Sequence, residues 1–181
     1  MNKGLVIDTC AIIHLMHVRR FDLLRGLKYS PLSTIFVQLE FDDGHEDSRR
    51  FYYSLIDNQR LQLIPLEIED LIDMANIPES KRISDAELSC FVVAQRIGCR
   101  TMTDDKSAVN FLKNHLRFDW NDVVGLVHLL LEAYDTYRLG DDDLRSIQEI
   151  LEENKFYIKF DLACEAARRR LMSSHGEYFE H

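Results

Sequence analysis

Leu5-Val6-Ile7-Asp8-Thr9 decides the fold. An apolar run, rich in β-branched residues, is cut off by a carboxylate and a hydroxyl. A run this short with no polar alternation fits a strand buried on both faces, the pattern of a parallel sheet. The period then changes. Ile12, Ile13, Leu15, Met16, Phe21, Leu23, Leu24 and Leu27 follow in a helical pattern that Tyr29-Ser30-Pro31 breaks. Thr34-Ile35-Phe36-Val37 reads as a second strand, 45–59 as a polar amphipathic helix, 61–66 as a third strand and 67–74 as a short helix. Ser84 opens a helix through Ile97 that is apolar on nearly every face, so it packs deeply. Gly98 is its stop signal, Cys99 to Thr103 the fourth strand and 106–116 another helix. Arg117-Phe118-Asp119-Trp120 reads as an edge strand.

Strands alternating with helices imply βαβ units, hence an α/β fold on a parallel sheet. The last third is purely helical: Val123, Leu126, Val127, Leu130, Leu131 and Tyr134 keep one helical face. A second helix starts at Asp141-Asp142-Asp143, and a third over 160–171 ends in Arg168-Arg169-Arg170, each charge run at the helix end that favours it. No glycine-rich linker separates the parts. The expected organisation is an α/β domain over 1–120 with a C-terminal helical extension over 121–181 packed on it.

Composition narrows the function. The 181 residues are 46% hydrophobic and 29% charged, globular values that argue against disorder. The net charge of −9, heavier in the helical tail, speaks against a basic coat for nucleic acid but not against carboxylates gathered around a cation. The 4 cysteines lack C-x-x-C spacing and read as reduced thiols of a cytoplasmic protein. No stretch approaches a membrane span or a signal peptide. The 7 histidines share no metal spacing; His14 and His17 read as packing or exposed residues, and His128 as a core histidine. Trp120 and Tyr52-Tyr53 read as packing or interface residues.

The chemistry lies in acids at element ends. Asp8 ends the first strand, Glu40 follows the second, Asp85 sits in the first turn of the packed helix, and Asp104 and Asp105 follow the fourth strand. Ligands of open parallel sheets bind outside the carboxyl ends of the strands, where these acids fall. Several carboxylates in one cleft stay ionised together only around a cation, and oxygen donors select Mg²⁺ or Mn²⁺. A water on such an ion is a nucleophile suited to phosphodiester hydrolysis. Phosphate-binding glycine loops, serine-hydrolase and zinc-protease motifs are absent from the sequence. A phosphoaspartate phosphatase would carry a second Asp where Cys10 stands.

Local readings compete at each position. Ser84-Asp85-Ala86-Glu87 is a capping box, which accounts for Glu87 without a ligand role, and Asp85 also suits a helix dipole. Asp104 reads as the cap of the next helix, leaving Asp105 as ligand. Glu40, with Asp42, Asp43, Glu46 and Asp47 after it, also fits a solvated acidic face. Asp8 has the weakest alternative, because a charge directly after a buried strand is costly unless paired. Thr9 and Thr103 serve either as caps or to orient ligands.

Val6-Ile7-Asp8-Thr9-Cys10, Val37-Gln38-Leu39-Glu40, Asp85-Ala86-Glu87-Leu88 and Thr103-Asp104-Asp105, in this order, resemble the motifs of PIN-domain nucleases, especially small prokaryotic PIN proteins of the VapC-toxin kind. Residues 125–130 and 150–158 resemble the tail of one branch. The resemblance implies a five-stranded parallel sheet between helices, an acidic Mg²⁺/Mn²⁺ site, and endonucleolytic cleavage of RNA. It carries the acids onto Asp8, Glu40, Asp85 and Asp105, with Asp104 as a further or alternative metal ligand and Thr9, Thr103 and Glu87 in support. Two positions depart from the pattern: Lys106-Ser107-Ala108-Val109 follows the acid pair where relatives often have an Arg, and Asp85 stands where this branch often has Glu.

RNA would be held weakly and with strong salt dependence by Arg19-Arg20, Arg25, Lys28, Arg49-Arg50 and Lys81-Arg82, unless these are ordinary solvated cations. A homodimer or protein partner would complete the groove. A toxin role would bring an antitoxin as that partner. The competing readings are a non-catalytic PIN-fold interaction module and a deoxyribonuclease built on the same acids.

Overall fold

The computed structural model describes residues 3–79, 83–116 and 120–176. Five parallel strands form its centre: β1 (Lys3–Ile7), β2 (Tyr29–Ser33), β3 (Gln62–Leu63), β4 (Arg100–Met102) and β5 (Val123–Val124), in the order β3-β2-β1-β4-β5. Between β1 and β2 lie α1 (Thr9–His17) and α2 (Asp22–Gly26); between β2 and β3, α3 (Ile35–Asp42) and α4 (Glu46–Asp57); between β3 and β4, α5 (Ile68–Asn76) and α6 (Asp85–Ile97). Next comes α7 (Lys106–Lys113); α8 (Leu126–Asp135), α9 (Asp141–Glu153) and α10 (Leu162–Gly176) follow β5. No helix among the described residues is long and apolar enough to cross a membrane.

The opening run is the buried strand its composition demands: Leu5, Val6 and Ile7 are fully buried in the middle of the sheet. α6 is buried along most of its length and packs on β1 and β4. Ser84 and Glu87 form its capping box, and Gly98 ends it in the left-handed conformation at φ 65°.

Several elements differ from expectation. β2 is Tyr29–Ser33, not Thr34–Val37. Pro31 reads as a breaker in sequence yet lies in the strand. The Ser33 carbonyl accepts from Ile64, so Pro31, two residues earlier, faces the same edge, where pairing to β3 begins only at Leu32. Its missing N–H therefore deserts no partner. Thr34 caps α3, its hydroxyl accepting from the Val37 amide, and the β-branched run is helical. The predicted helix from Ile12 to Leu27 divides at Val18, followed by Arg19 at φ 54°.

Val123, expected on a helical face, is in β5, which completes the sheet beside β4; α8 begins after Gly125. Residues 117–119 of the expected edge strand lie outside the described residues, and Trp120–Asp122 is a 3₁₀ turn. α10 continues beyond Leu171, so its arginines are mid-helix rather than terminal. Arg170 instead lies over the rings of Tyr134 and Tyr137, 3.8 and 4.4 Å from their centroids.

One core cluster joins the β1 residues to Leu126, Leu130, Leu144, Leu151, Leu162 and Ala166: α8 packs on α1 and α2, α9 on α1, and α10 on α8 and α9. Tyr29 of β2 donates to Glu132 of α8 at 3.0 Å across the same interface. α5 and α6 are tied by Arg96, whose Nε lies 2.9 and 3.0 Å from the carboxylate oxygens of buried Asp70; it also donates to Glu67 at 2.7 Å. His128 is exposed, because it lies on the side of α8 opposite the buried leucines.

Candidate active site

The order β3-β2-β1-β4-β5 reverses direction between β1 and β4, the place outside the strand carboxyl ends where an open parallel sheet forms its ligand crevice. Asp8 follows β1 directly. Its amide donates to Met102 at 3.1 Å and the Thr103 amide donates to Val124 at 3.1 Å, which sets the residues after β1, β4 and β5 side by side.

Asp8 is the N-cap of α1, its Oδ1 accepting from the Ala11 amide at 2.7 Å. The residue is 1% exposed, and Oδ2 is buried with no hydrogen-bond partner. Burial pushes its pKa up to about 7; the charges of Asp104 and Glu87 add to this, while the Thr103 hydroxyl, near the carboxylate but closing no hydrogen bond to Oδ2, and the Ala11 amide oppose it.

Glu40 reaches the site from α3 rather than from a strand end, and its Oε2 accepts from the Thr9 hydroxyl at 2.5 Å. Glu87 lies in the first turn of α6, where Oε2 accepts from the Ser84 amide at 3.0 Å. Its pKa is raised by burial first, then by the charges of Asp105 and Glu40. Asp105, not Asp104, caps α7: its Oδ1 accepts from the Ser107 and Ala108 amides at 2.7 and 3.0 Å, and its own amide donates to the Thr103 hydroxyl at 3.1 Å. Asp104 caps a more distant helix. Its Oδ1 accepts from the Leu126 amide at the start of α8 at 2.8 Å, and Oδ2 lies 3.1 Å from Nδ1 of His14. A Cβ on Gly125 would stand 3.2 Å from that Oδ1, so the glycine keeps room for the cap.

The structure thus gathers Asp8, Glu40, Glu87, Asp104 and Asp105. Four of them, Asp8, Glu87, Glu40 and Asp104, act together with burial to push the Cys10 thiol up to about 12. Apart from Glu40, each acid sits at a helix N-terminus, where backbone N–H groups and the helix dipole offset part of the repulsion. Asp85 is exposed and lines a different cleft, of about 740 Å³, with Met74, Ile83, Leu88 and Phe111. Positions 85 and 87 are about 200° apart on a helix, so only one of them can face the crevice.

Sequence reasoning gave Glu87 only a supporting place because the capping box explained it. The missed signal was its stripe: Glu87, Cys90 and Ala94 share a face, and the Cys90 thiol approaches the Ile7 carbonyl at 3.7 Å, next to Asp8. The His14 pairing with Asp104, 90 positions apart, had no local signal. Of the proposed phosphate contacts, Arg25 and Lys28 precede β2 and lie toward the opposite edge of the sheet. Arg50 pairs with Glu46, and Arg49 donates to the Asp42 carbonyl at 3.4 Å. Lys81 and Arg82 are outside the described residues.

Among the described residues no three His, Cys, Asp or Glu side chains converge as a ready metal cage. The donors nevertheless fit a hard divalent ion. All are carboxylates, and a buried, unpartnered anionic oxygen on Asp8 is the atom a cation would satisfy. Mg²⁺ retains several waters and needs only one or two direct carboxylates.

A family model for the PIN domain matches residues 4–171. The chain belongs to the PIN-domain family. PIN domains are generally nucleases that use divalent metal ions, and the family implies a nucleic-acid substrate. Comparison with curated proteins returned no match.

Proposed function

We propose that this protein is a metal-dependent endoribonuclease whose site comprises Asp8, Glu40, Glu87, Asp104 and Asp105. The observation that carries the reading is buried Asp8, with an unpartnered Oδ2, at the reversal of the sheet, with Asp104 and Glu87 near it and Glu40 and Asp105 next to these. Asp8 and Glu40 would hold Mg²⁺ or Mn²⁺ with Asp105 and Glu87, directly or through water. When bound, the ion supplies Lewis acidity at the scissile phosphate and eases deprotonation of an attacking water.

The chain's own residues do the rest. Thr9 fixes the Glu40 carboxylate, and the Ser84 amide fixes Glu87. Asp104 joins the α8 N-terminus to His14 and so anchors the wall beside Asp8. Lys106, one residue after Asp105, would meet a phosphate entering the crevice. A protein partner would add basic surface that a chain of net charge −9 lacks. A toxin role, with an antitoxin as that partner, is compatible with this reading.

The net charge of −9, with Lys106-Ser107-Ala108-Val109 where relatives often have an Arg, favours one second reading, a binding module that keeps the fold without turnover. Incubation with matched RNA and DNA strands in Mg²⁺, Mn²⁺ or EDTA separates the readings. Cleavage of RNA that requires the ion and spares DNA is expected; binding without metal-dependent turnover would establish the module instead.

A further inference from the structure

A cleft of about 560 Å³ opens beside the carboxyl ends of β4 and β5 and shares Thr103 and Asp104 with the acid site. Its other wall is the segment joining α9 to α10, which presents Tyr157, Lys159 and Phe160; Lys106 lines it as well.

This segment is held at both ends. The Phe156 amide donates to the Leu151 carbonyl at 2.9 Å, and the Phe156 ring meets His14 edge-on at 4.5 Å, next to Asp104. At the other end Gln148 donates to the Phe160 carbonyl at 3.0 Å and accepts from the Leu162 amide at 2.8 Å. Between these anchors Tyr157 is 73% exposed and Phe160 44% exposed. Flat apolar rings on a fixed backbone match a ligand with its own π-face, and the two lysines match an anion. An unpaired nucleotide has both.

We propose that this cleft is a base-binding subsite for single-stranded RNA. One unpaired base stacks on Tyr157 or Phe160, Lys106 and Lys159 contact the flanking phosphates, and the strand continues past Thr103 onto the acids. A duplex does not fit this chemistry, because its bases are already paired and stacked. The C-terminal extension thereby selects unpaired RNA. The inference rests on the nuclease reading above and assigns to that site a base contact outside the acids, on the segment joining α9 to α10.

The test measures fluorescence anisotropy in EDTA, using a labelled oligoadenylate of about 12 nucleotides and an abasic strand of the same length and charge. Wild type is expected to bind the oligoadenylate roughly tenfold more tightly than the abasic strand. Tyr157→Ala combined with Phe160→Ala should remove that difference, and Tyr157→Trp should retain it. Lys159→Gln should weaken both strands alike and flatten the salt dependence. Equal binding of the two strands by wild type, or an unchanged base preference in the double alanine variant, overturns the subsite. Cleavage of the same oligoadenylate in Mn²⁺ is read separately. Cleavage with an unchanged base preference discards the subsite and keeps the nuclease; base-dependent binding lost in the variant, without any cleavage, keeps the subsite and discards the nuclease.

Discussion

Asp8→Asn should stabilise the metal-free protein above neutral pH, although Asp8 is the residue we place at the centre of the site. Burial raises the Asp8 pKa from 3.8 to about 7. Between these values the folded protein holds a proton that the unfolded chain has released. Stability is therefore lost as pH rises through that window, and the penalty is complete once the folded carboxyl ionises. A gap of roughly three pH units at about 1.36 kcal/mol each makes it on the order of 4 kcal/mol. Asparagine keeps an oxygen for the Ala11 amide, so the α1 cap survives. Its NH₂ replaces the unpartnered Oδ2 and is itself unsatisfied, at a cost of about 1–3 kcal/mol. The net gain at about pH 8 is then ~1–3 kcal/mol, or roughly 2–4 °C in Tm for each kcal/mol in a chain of this size.

Thermal melts in EDTA across about pH 5–8 read this directly. Wild type should lose more stability across the range than the variant, whose remaining slope comes from groups such as Glu87 and His17. A divalent ion at about 100 times its Kd should return about 2.7 kcal/mol to wild type and little to the variant. A flat wild-type profile in EDTA, or a variant less stable than wild type at the alkaline end, would refute the assignment of Asp8 as a buried, uncompensated carboxylate.

Other substitutions separate the site from the scaffold. Glu87→Gln should lower metal-dependent cleavage at least about 100-fold while Asp85→Asn changes it little, because only Glu87 lies with the other acids; single-turnover rates on one RNA decide, and equal effects would contradict the placement. Gly98→Ala should destabilise by about 1–2 kcal/mol through its left-handed φ alone, since a Cβ there meets nothing within 4 Å; urea unfolding checks it, and no change would mean the helix end relaxes freely. Arg96→Ala should cost about 3 kcal/mol by leaving the buried Asp70 charge without its ion-pair partner and held only by the Glu67 amide, and adding Asp70→Asn should recover part of that; an additive double-mutant cycle would deny the coupling.

The sheet edge was legible because Asp8 ends an apolar run and Asp104-Asp105 end the fourth strand expected from the sequence, and an ionised group after a buried strand is tolerated only in a cleft. α6 was legible because its capping box, apolar body and terminal glycine agree with one another. β2 was not, because its Pro31 is harmless only where the neighbouring strand has not begun, a tertiary circumstance. β5 was missed because two valines lead straight into a leucine-rich helix, and only pairing with β4 separates them. Glu40 was identified as a candidate from a mistaken strand; it reaches the crevice because α3 brings it to Thr9. The swap of caps between Asp104 and Asp105 follows from the approach of α8, 22 positions from Asp104.

The central claim is that the gathered carboxylates hold a divalent ion and cut RNA there. Its most direct measurement is cleavage of single-stranded RNA in Mn²⁺ by wild type and by Asp8→Asn, with the melting curve of each recorded in the same buffer. The account predicts cleavage by wild type that EDTA abolishes, and none by a variant that remains folded. Undiminished cleavage by a folded Asp8→Asn protein would place the chemistry elsewhere and contradict it.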